Sequence, residues 1–113
     1  MKRDGKSLSK EKEFLELIEK LRRIFYSRND HLHFDRGVYA NQVVDILLDH
    51  LVKMKIKKED LKVYILKEVE DKSFREIDNI MGKKKRGGAY SSNIMKKLRK
   101  KLFWALINDK RLD

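Results

Sequence analysis

From Phe14 onward the large apolar residues of this chain recur three and four positions apart, and no proline interrupts them. Phe14, Leu17, Ile18, Leu21, Ile24 and Phe25 follow this spacing, and so do Val43, Val44, Leu47, Leu48, Leu51 and Met54. A repeat near 3.6 puts such residues on one face of a helix, whereas a strand needs alternation with a period of two. No alternating run of useful length is present. The pattern therefore predicts an all-α fold of about five helices packed as a bundle.

Local signals place the boundaries. Ser9 suits an N-cap, and Glu11 and Glu13 fall in the first turn after it, where the helix dipole favours negative charge. The first helix is expected to reach about Tyr26. Ser27 to Gly37 breaks the pattern and reads as a loop, with Asp35 capping a second helix that resumes at Val38 and ends at Met54. A hinge over 55–58 leads to a third helix from about Glu59, carrying Leu61, Tyr64, Ile65 and Val69. Ser73 and Glu76 form a Ser-x-x-Glu capping box. Phe74, Ile77, Ile80 and Met81 are the expected buried face of the fourth helix, and Gly82 suits the left-handed position that ends it. A fifth helix is expected from Gly88–Ala89 to about Asn108. At 113 residues the chain reads as one domain. Residues 1–8 are expected to be flexible, 9–58 to form supporting helices and 59–108 to form the functional half.

Charge is concentrated in that half. No acidic residue lies between Asp78 and Asp109, and nine basic ones do: Lys83, Lys84, Lys85, Arg86, Lys96, Lys97, Arg99, Lys100 and Lys101. The chain has 29 Lys+Arg and 18 Asp+Glu, a formal charge of +11; setting the nine aside leaves 20 against 18. A charge meant only to solubilise would be spread out, so this cluster points to a polyanionic partner. Nucleic acid comes first and an anionic membrane surface second. No cysteine is present, so neither a disulfide framework nor a thiolate zinc site is available. With no secretory h-region and no apolar run of membrane-spanning length, a cytoplasmic protein that does not enter a membrane is expected.

The capped fourth helix, its glycine turn and the long basic helix after it match what a helix-turn-helix requires. One short helix crosses the DNA backbone and braces a second, whose exposed face enters the major groove. On the fifth helix Tyr90, Ile94, Leu98, Lys101 and Ala105 share one side, with Lys101 snorkelling. Ala89, Ser92, Asn93, Lys96, Arg99 and Lys100 lie towards the other. Asn93 suits bidentate pairing with adenine, and Ser92 can bond several bases. Double-stranded DNA is the expected partner. Ala89, Ser92, Asn93 and Lys96 would read bases; Lys83, Lys84, Lys85, Arg86, Lys97, Arg99 and Lys100 would hold phosphates. Leu61, Ile77, Ile80, Ile94 and Leu98 would hold the two helices together.

Leu61-Lys-Val-Tyr-Ile-Leu-Lys-Glu-Val-Glu-Asp-Lys-Ser-Phe-Arg-Glu-Ile-Asp-Asn-Ile-Met-Gly82 resembles the region 4 domain of bacterial sigma-70-type factors. There a helix ending in an apolar-acidic stretch precedes a Ser/Thr-aromatic/Leu-x-Glu-Ile-Ala-x-Ile-Leu-Gly helix. A recognition helix ending in a Leu-Arg-Lys-Leu-type run follows, and Leu98-Arg-Lys-Lys-Leu102 is similar to that ending. The resemblance covers about residues 59–106. It implies a recognition helix that reads the promoter −35 element and a domain that contacts RNA polymerase. The pattern departs after Gly82: Lys83-Lys84-Lys85-Arg86-Gly87-Gly88 replaces an apolar residue and a Ser/Thr cap, and the segment before Leu98 is about two residues longer. This turn reads as a basic, flexible loop or wing. Residues 1–58 lack the aromatic-rich promoter-melting segment of a full sigma factor, so a small sigma-like transcription regulator is the expectation.

Other constellations are weaker. His31 and His33 with Asp30 and Asp35 are the one candidate for metal chemistry, with Asp49 and His50 as further ligands. Missing thiolates and missing metal-motif spacing favour a plain loop. Lys83 to Gly88 lacks the spacing of a nucleotide P-loop. No catalytic residue, metal or cofactor is assigned. Trp104 is expected to pack on the first helix; the alternative is that Phe103, Trp104 and Ile107 form an exposed anchor for a partner protein or a second subunit. A homodimer would set two recognition helices roughly 34 Å apart. Alternative functions are an RNA or ribonucleoprotein module and a protein–protein adaptor contacting RNA polymerase. Tyr90 is the only aromatic between Lys83 and Lys101, whereas single-strand recognition favours several stacking rings.

Overall fold

The computed structural model describes residues 2–112, and for residues 2–9 and Phe34 the backbone alone. The described residues form five α-helices and no strand: α1 Lys2–Asn29, α2 Phe34–Lys53, α3 Lys58–Glu68, α4 Phe74–Ile80 and α5 Ala89–Ile107. Single 3₁₀ turns follow at Lys84–Arg86 and Lys110–Leu112. The all-α expectation holds.

Two expected boundaries move. α1 begins at Lys2 and not at Ser9. The expected loop over 27–37 shrinks to Asp30–His33, because α1 continues to Asn29 and α2 begins at Phe34. His33 is the N-cap of α2 and makes no side-chain cap bond; Asp35 sits inside the first turn instead, where its charge complements the helix dipole. Gly37, one reason to place a break there, is helical, and a Cβ at this position would stand 3.5 Å from the Asn29 carbonyl oxygen.

The polar bonds order the helices. Arg22 and Tyr26 of α1 both reach Asp45 of α2, and Asn29 reaches Asn41. Later positions on α1 thus meet earlier ones on α2, an antiparallel hairpin of the kind a short connection allows. Lys58 pairs with Glu13, and Arg28 donates to the Val69 carbonyl (2.8 Å), so α3 runs alongside α1 in the same direction. One apolar cluster draws on all of these helices and α5: Leu21, Leu48, Leu51, Leu61, Ile77 and Met95 have almost no exposed surface. The chain's C-terminal turn closes onto α2. The His50 Nε2 and Asp109 Oδ2 atoms lie 2.6 Å apart, and Arg111 bridges Asp109 (2.6 Å) and Asp49 (3.1 Å). Hydrogen bonds from the Arg111 side chain and N–H hold the Asp109 carboxyl well below the usual carboxylate range. No described helix is long and apolar enough to cross a membrane.

Candidate nucleic-acid interface

α4 starts as its sequence requires. The Ser73 hydroxyl accepts from the Glu76 N–H (3.1 Å), and the Glu76 carboxylate accepts from the Ser73 N–H (3.4 Å). Both halves of the capping box are present, so two otherwise unpaired donors are satisfied. The helix ends at Ile80 with Met81 as its C-cap, and Gly82 takes φ +74°, a left-handed value that a residue with a Cβ adopts at a cost. The Lys83 N–H then returns to the Asp78 carbonyl (2.6 Å), which reverses the chain.

The basic turn that follows has regular local structure. Lys84–Arg86 form a single 3₁₀ turn, with Arg86 N–H bonded to the Lys83 carbonyl (2.9 Å) and Gly87 N–H to that of Lys84 (3.2 Å). The four side chains Lys83, Lys84, Lys85 and Arg86 are exposed. The Lys83 ammonium lies 5.5 Å from the centre of the Tyr90 ring, a cation–π contact that links the turn to α5.

α5 starts without a cap of its own. Its N-cap is Gly88, which has no side chain to accept the free N–H groups. Asp78 of α4 does this from across the turn. Its Oδ2 accepts from Gly88 N–H (2.7 Å) and Tyr90 N–H (3.2 Å), and its Oδ1 from Ser91 N–H (2.8 Å). Asp78 is fully buried, as is Ser91, whose hydroxyl donates to the Phe74 carbonyl (3.0 Å). Burial alone pushes the Asp78 carboxyl up. Hydrogen bonds from Ser91 and from the N–H groups of Gly88 and Tyr90 outweigh that, and hold it below its ordinary value. Gly88 has φ +103°, and a Cβ there would stand 3.2 Å from both Phe74 Cβ and Arg75 N. Asp78 and Gly88 together set how closely α5 approaches α4. Neither role was anticipated from the sequence; the signal was a charged residue between Ile77 and Asn79 in an otherwise apolar face, and a long helix opening on glycine.

The rotation of α5 also differs from expectation. Its buried stripe is Ser91, Met95, Leu98 and Leu102, with Tyr90, Ile94 and Leu106 at the margins of the core. Lys101 is exposed and has no need to snorkel, and Ala105 is half-buried. The expected row from Tyr90 to Ala105 is displaced because Ser91 satisfies its hydroxyl on α4 and so faces inward. On α4, Ile80 is exposed: Asp78 shares the inward face with Phe74, Ile77 and Met81, which turns Ile80 out.

This rotation sorts the candidate residues. Ala89, Asn93, Lys96, Lys97 and Lys100 lie on the outward face, all exposed. Ser92 is half-buried at its edge. Arg99 is engaged elsewhere: Nη2 and Nε donate to the Glu68 carboxylate of α3 at 2.6 and 3.1 Å. None of Lys83, Lys84, Lys85, Arg86, Lys96, Lys97 or Lys100 has an acidic partner within 4.0 Å among the ion pairs of the described residues. Trp104 does not bury itself on α1; it is 56% exposed. The histidines are not gathered either: no group of three His, Asp or Glu side chains among the described residues is placed to hold a metal ion. Comparison with protein families, with curated proteins and with solved structures returns no match for this chain.

Proposed function

We propose that this chain is a sequence-specific double-stranded DNA-binding transcription regulator whose α4, basic turn and α5 act as a helix-turn-helix similar to sigma region 4. The observation that carries this reading is the outward face of α5 continued by the Lys83–Arg86 turn. Apart from Arg99, its cations are exposed and have no acidic partner among the ion pairs of the described residues. A helix of 19 residues is long enough to lie in a major groove about 12 Å wide with its first turns at the bases. In this reading Asn93 and Lys96, with Ala89, face base edges. Lys83–Arg86, Lys97 and Lys100 hold phosphates on either side. Ser92 is a marginal reader because it is half-buried, and Arg99 serves first as a strut to Glu68. α1 and α2 form the support on which α3 presents the pair.

The test is a titration with duplex DNA, duplex RNA and single strands. Duplex DNA is expected to bind most tightly, and selection from random duplexes to return one preferred sequence. Equal affinity for all polyanions would sink the sequence-specific reading and leave a general polyanion binder in its place. Contact with RNA polymerase belongs to the same proposal through the resemblance alone, and co-elution of the chain with a bacterial core polymerase tests it.

A further inference from the structure

The far end of α5 carries an exposed apolar group that the DNA reading does not use. Phe103, Trp104 and Ile107 are 59%, 56% and 54% exposed. They share the outward face with Lys100, because positions three, four and seven apart stack on a helix. From Asn93 to Trp104 is about 16 Å along the axis at about 1.5 Å per residue, more than a major groove width. The patch thus stands clear of a groove that holds the first turns of α5.

The surroundings of the patch define what fits it. Lys96, Lys97, Lys100 and Lys101 are exposed before it and Lys110 after it, none with an acidic partner among the described ion pairs. The nearest acidic residue in sequence, Asp109, is turned inward onto His50 and Arg111, its side chain 7% exposed. A second copy would bring the same lysine rim and another +11 of charge against this one. The two rings meet edge to face at 73°, so they do not lie parallel as stacking on successive bases of one strand requires. Three side chains on the last turns of a helix whose other side is packed on the core are a small area for a bilayer, and the size of an anchor for a peptide.

The geometry points to a protein-docking site at Phe103, Trp104 and Ile107 whose occupant is an acidic segment with apolar anchor residues from another protein. The anchors cover the aromatic pair and Ile107, and carboxylates face Lys96, Lys100 and Lys101. The apolar anchor at Phe103, Trp104 and Ile107 has no part in the proposed DNA contacts, although the lysine rim shares Lys96 and Lys100 with them.

Trp104 is the only tryptophan of the chain and reports on the patch directly. The probe is a synthetic helical peptide with Leu on one face and Glu on the other. Expected is a saturable blue shift of Trp104 emission that weakens as salt screens the charges. Replacing Glu by Lys, or Leu by Ser, in the peptide is expected to abolish it. Ile107→Ser is expected to weaken binding about tenfold with unchanged circular dichroism and unchanged duplex DNA affinity. Lys100→Glu, at an exposed position, should also weaken the acidic peptide. No saturable shift, or an equal response to the lysine peptide, would overturn the proposal. So would a larger response to oligodeoxythymidylate or to phosphatidylserine vesicles, or a shift that depends on protein concentration alone, which would identify a nucleic acid, a membrane or a second copy as the occupant.

Discussion

Asp78 concentrates the structure's strongest local demand in a single side chain. Three N–H groups at the start of α5 converge on its carboxylate, and the side chain is fully buried. Asp78→Ala strips these donors of their partner inside the core and is expected to destabilise the fold by about 2–4 kcal/mol in chemical denaturation. Asp78→Asn keeps one acceptor oxygen and is expected to fall between. The pH dependence follows from the sign of the shift. The folded carboxyl is lowered, so its contribution is complete above the ordinary carboxylate pKa of about 4 and is lost as pH falls through the folded value. Stability of the natural chain should therefore drop below about pH 4 by more than that of Asp78→Asn. A parallel pH dependence in the two would mean that the charge at Asp78 is not what holds α5. Gly88→Ala meets both a left-handed backbone and the Phe74–Arg75 backbone at 3.2 Å, and is expected to cost about 1–3 kcal/mol.

At the scale of elements, α4 and the start of α5 were legible because specific chemistry marks these boundaries. Ser73 and Glu76 mark the start of α4, Gly82 its end, and Gly88 the start of α5, and the structure follows each. The first connection was less legible. Asn29, Asp30, His31, His33 and Gly37 resemble a loop in composition, yet only Asp30–His33 leave the helix, since packing of α1 on α2 overrides weak local preferences. The rotation of α5 was misread for a related reason. A periodicity of apolar residues is blind to Ser91, which is buried through its hydrogen bonds and not its hydrophobicity. Likewise the resemblance to sigma region 4 has alanine where this chain has Asp78, so the cap across the turn has no counterpart in that pattern. Substitutions separate the roles within these elements. Lys84→Ala should weaken duplex binding on every sequence and reduce the salt slope by about 1, whereas Asn93→Ala should cost about 1–3 kcal/mol on the preferred sequence alone. Arg99→Ala is expected to leave the salt slope unchanged and to cost less than about 1 kcal/mol of stability, because its exposed pair with Glu68 is screened by solvent. A slope that falls with Arg99→Ala would return this residue to the phosphate contacts.

For the whole molecule the question is whether the basic turn and α5 present their charge as one surface. The turn is tied to α5 twice, by Lys83 over the Tyr90 ring and by the Asp78 carboxylate, which bonds Gly88 at the end of the turn as well as Tyr90 and Ser91. Movement of the turn against the helix would break bonds inside the core, so the two halves of the acid-free segment are held in fixed relation. Under the proposed DNA reading, a duplex that meets α5 is expected also to meet Lys83–Arg86. Each phosphate neutralised contributes about −0.9 to the slope of log affinity against log salt, and four to six contacts from the turn with Lys97 and Lys100 correspond to a slope between about −4 and −5. Binding measured across a salt series on duplex DNA tests this. A slope shallower than about −2 would mean that the turn and the helix do not bind together. Asp78→Asn supplies the internal control at neutral pH: if the cap keeps the two halves in register, this variant should remain folded yet show a shallower slope than the natural chain, with its lysines all in place.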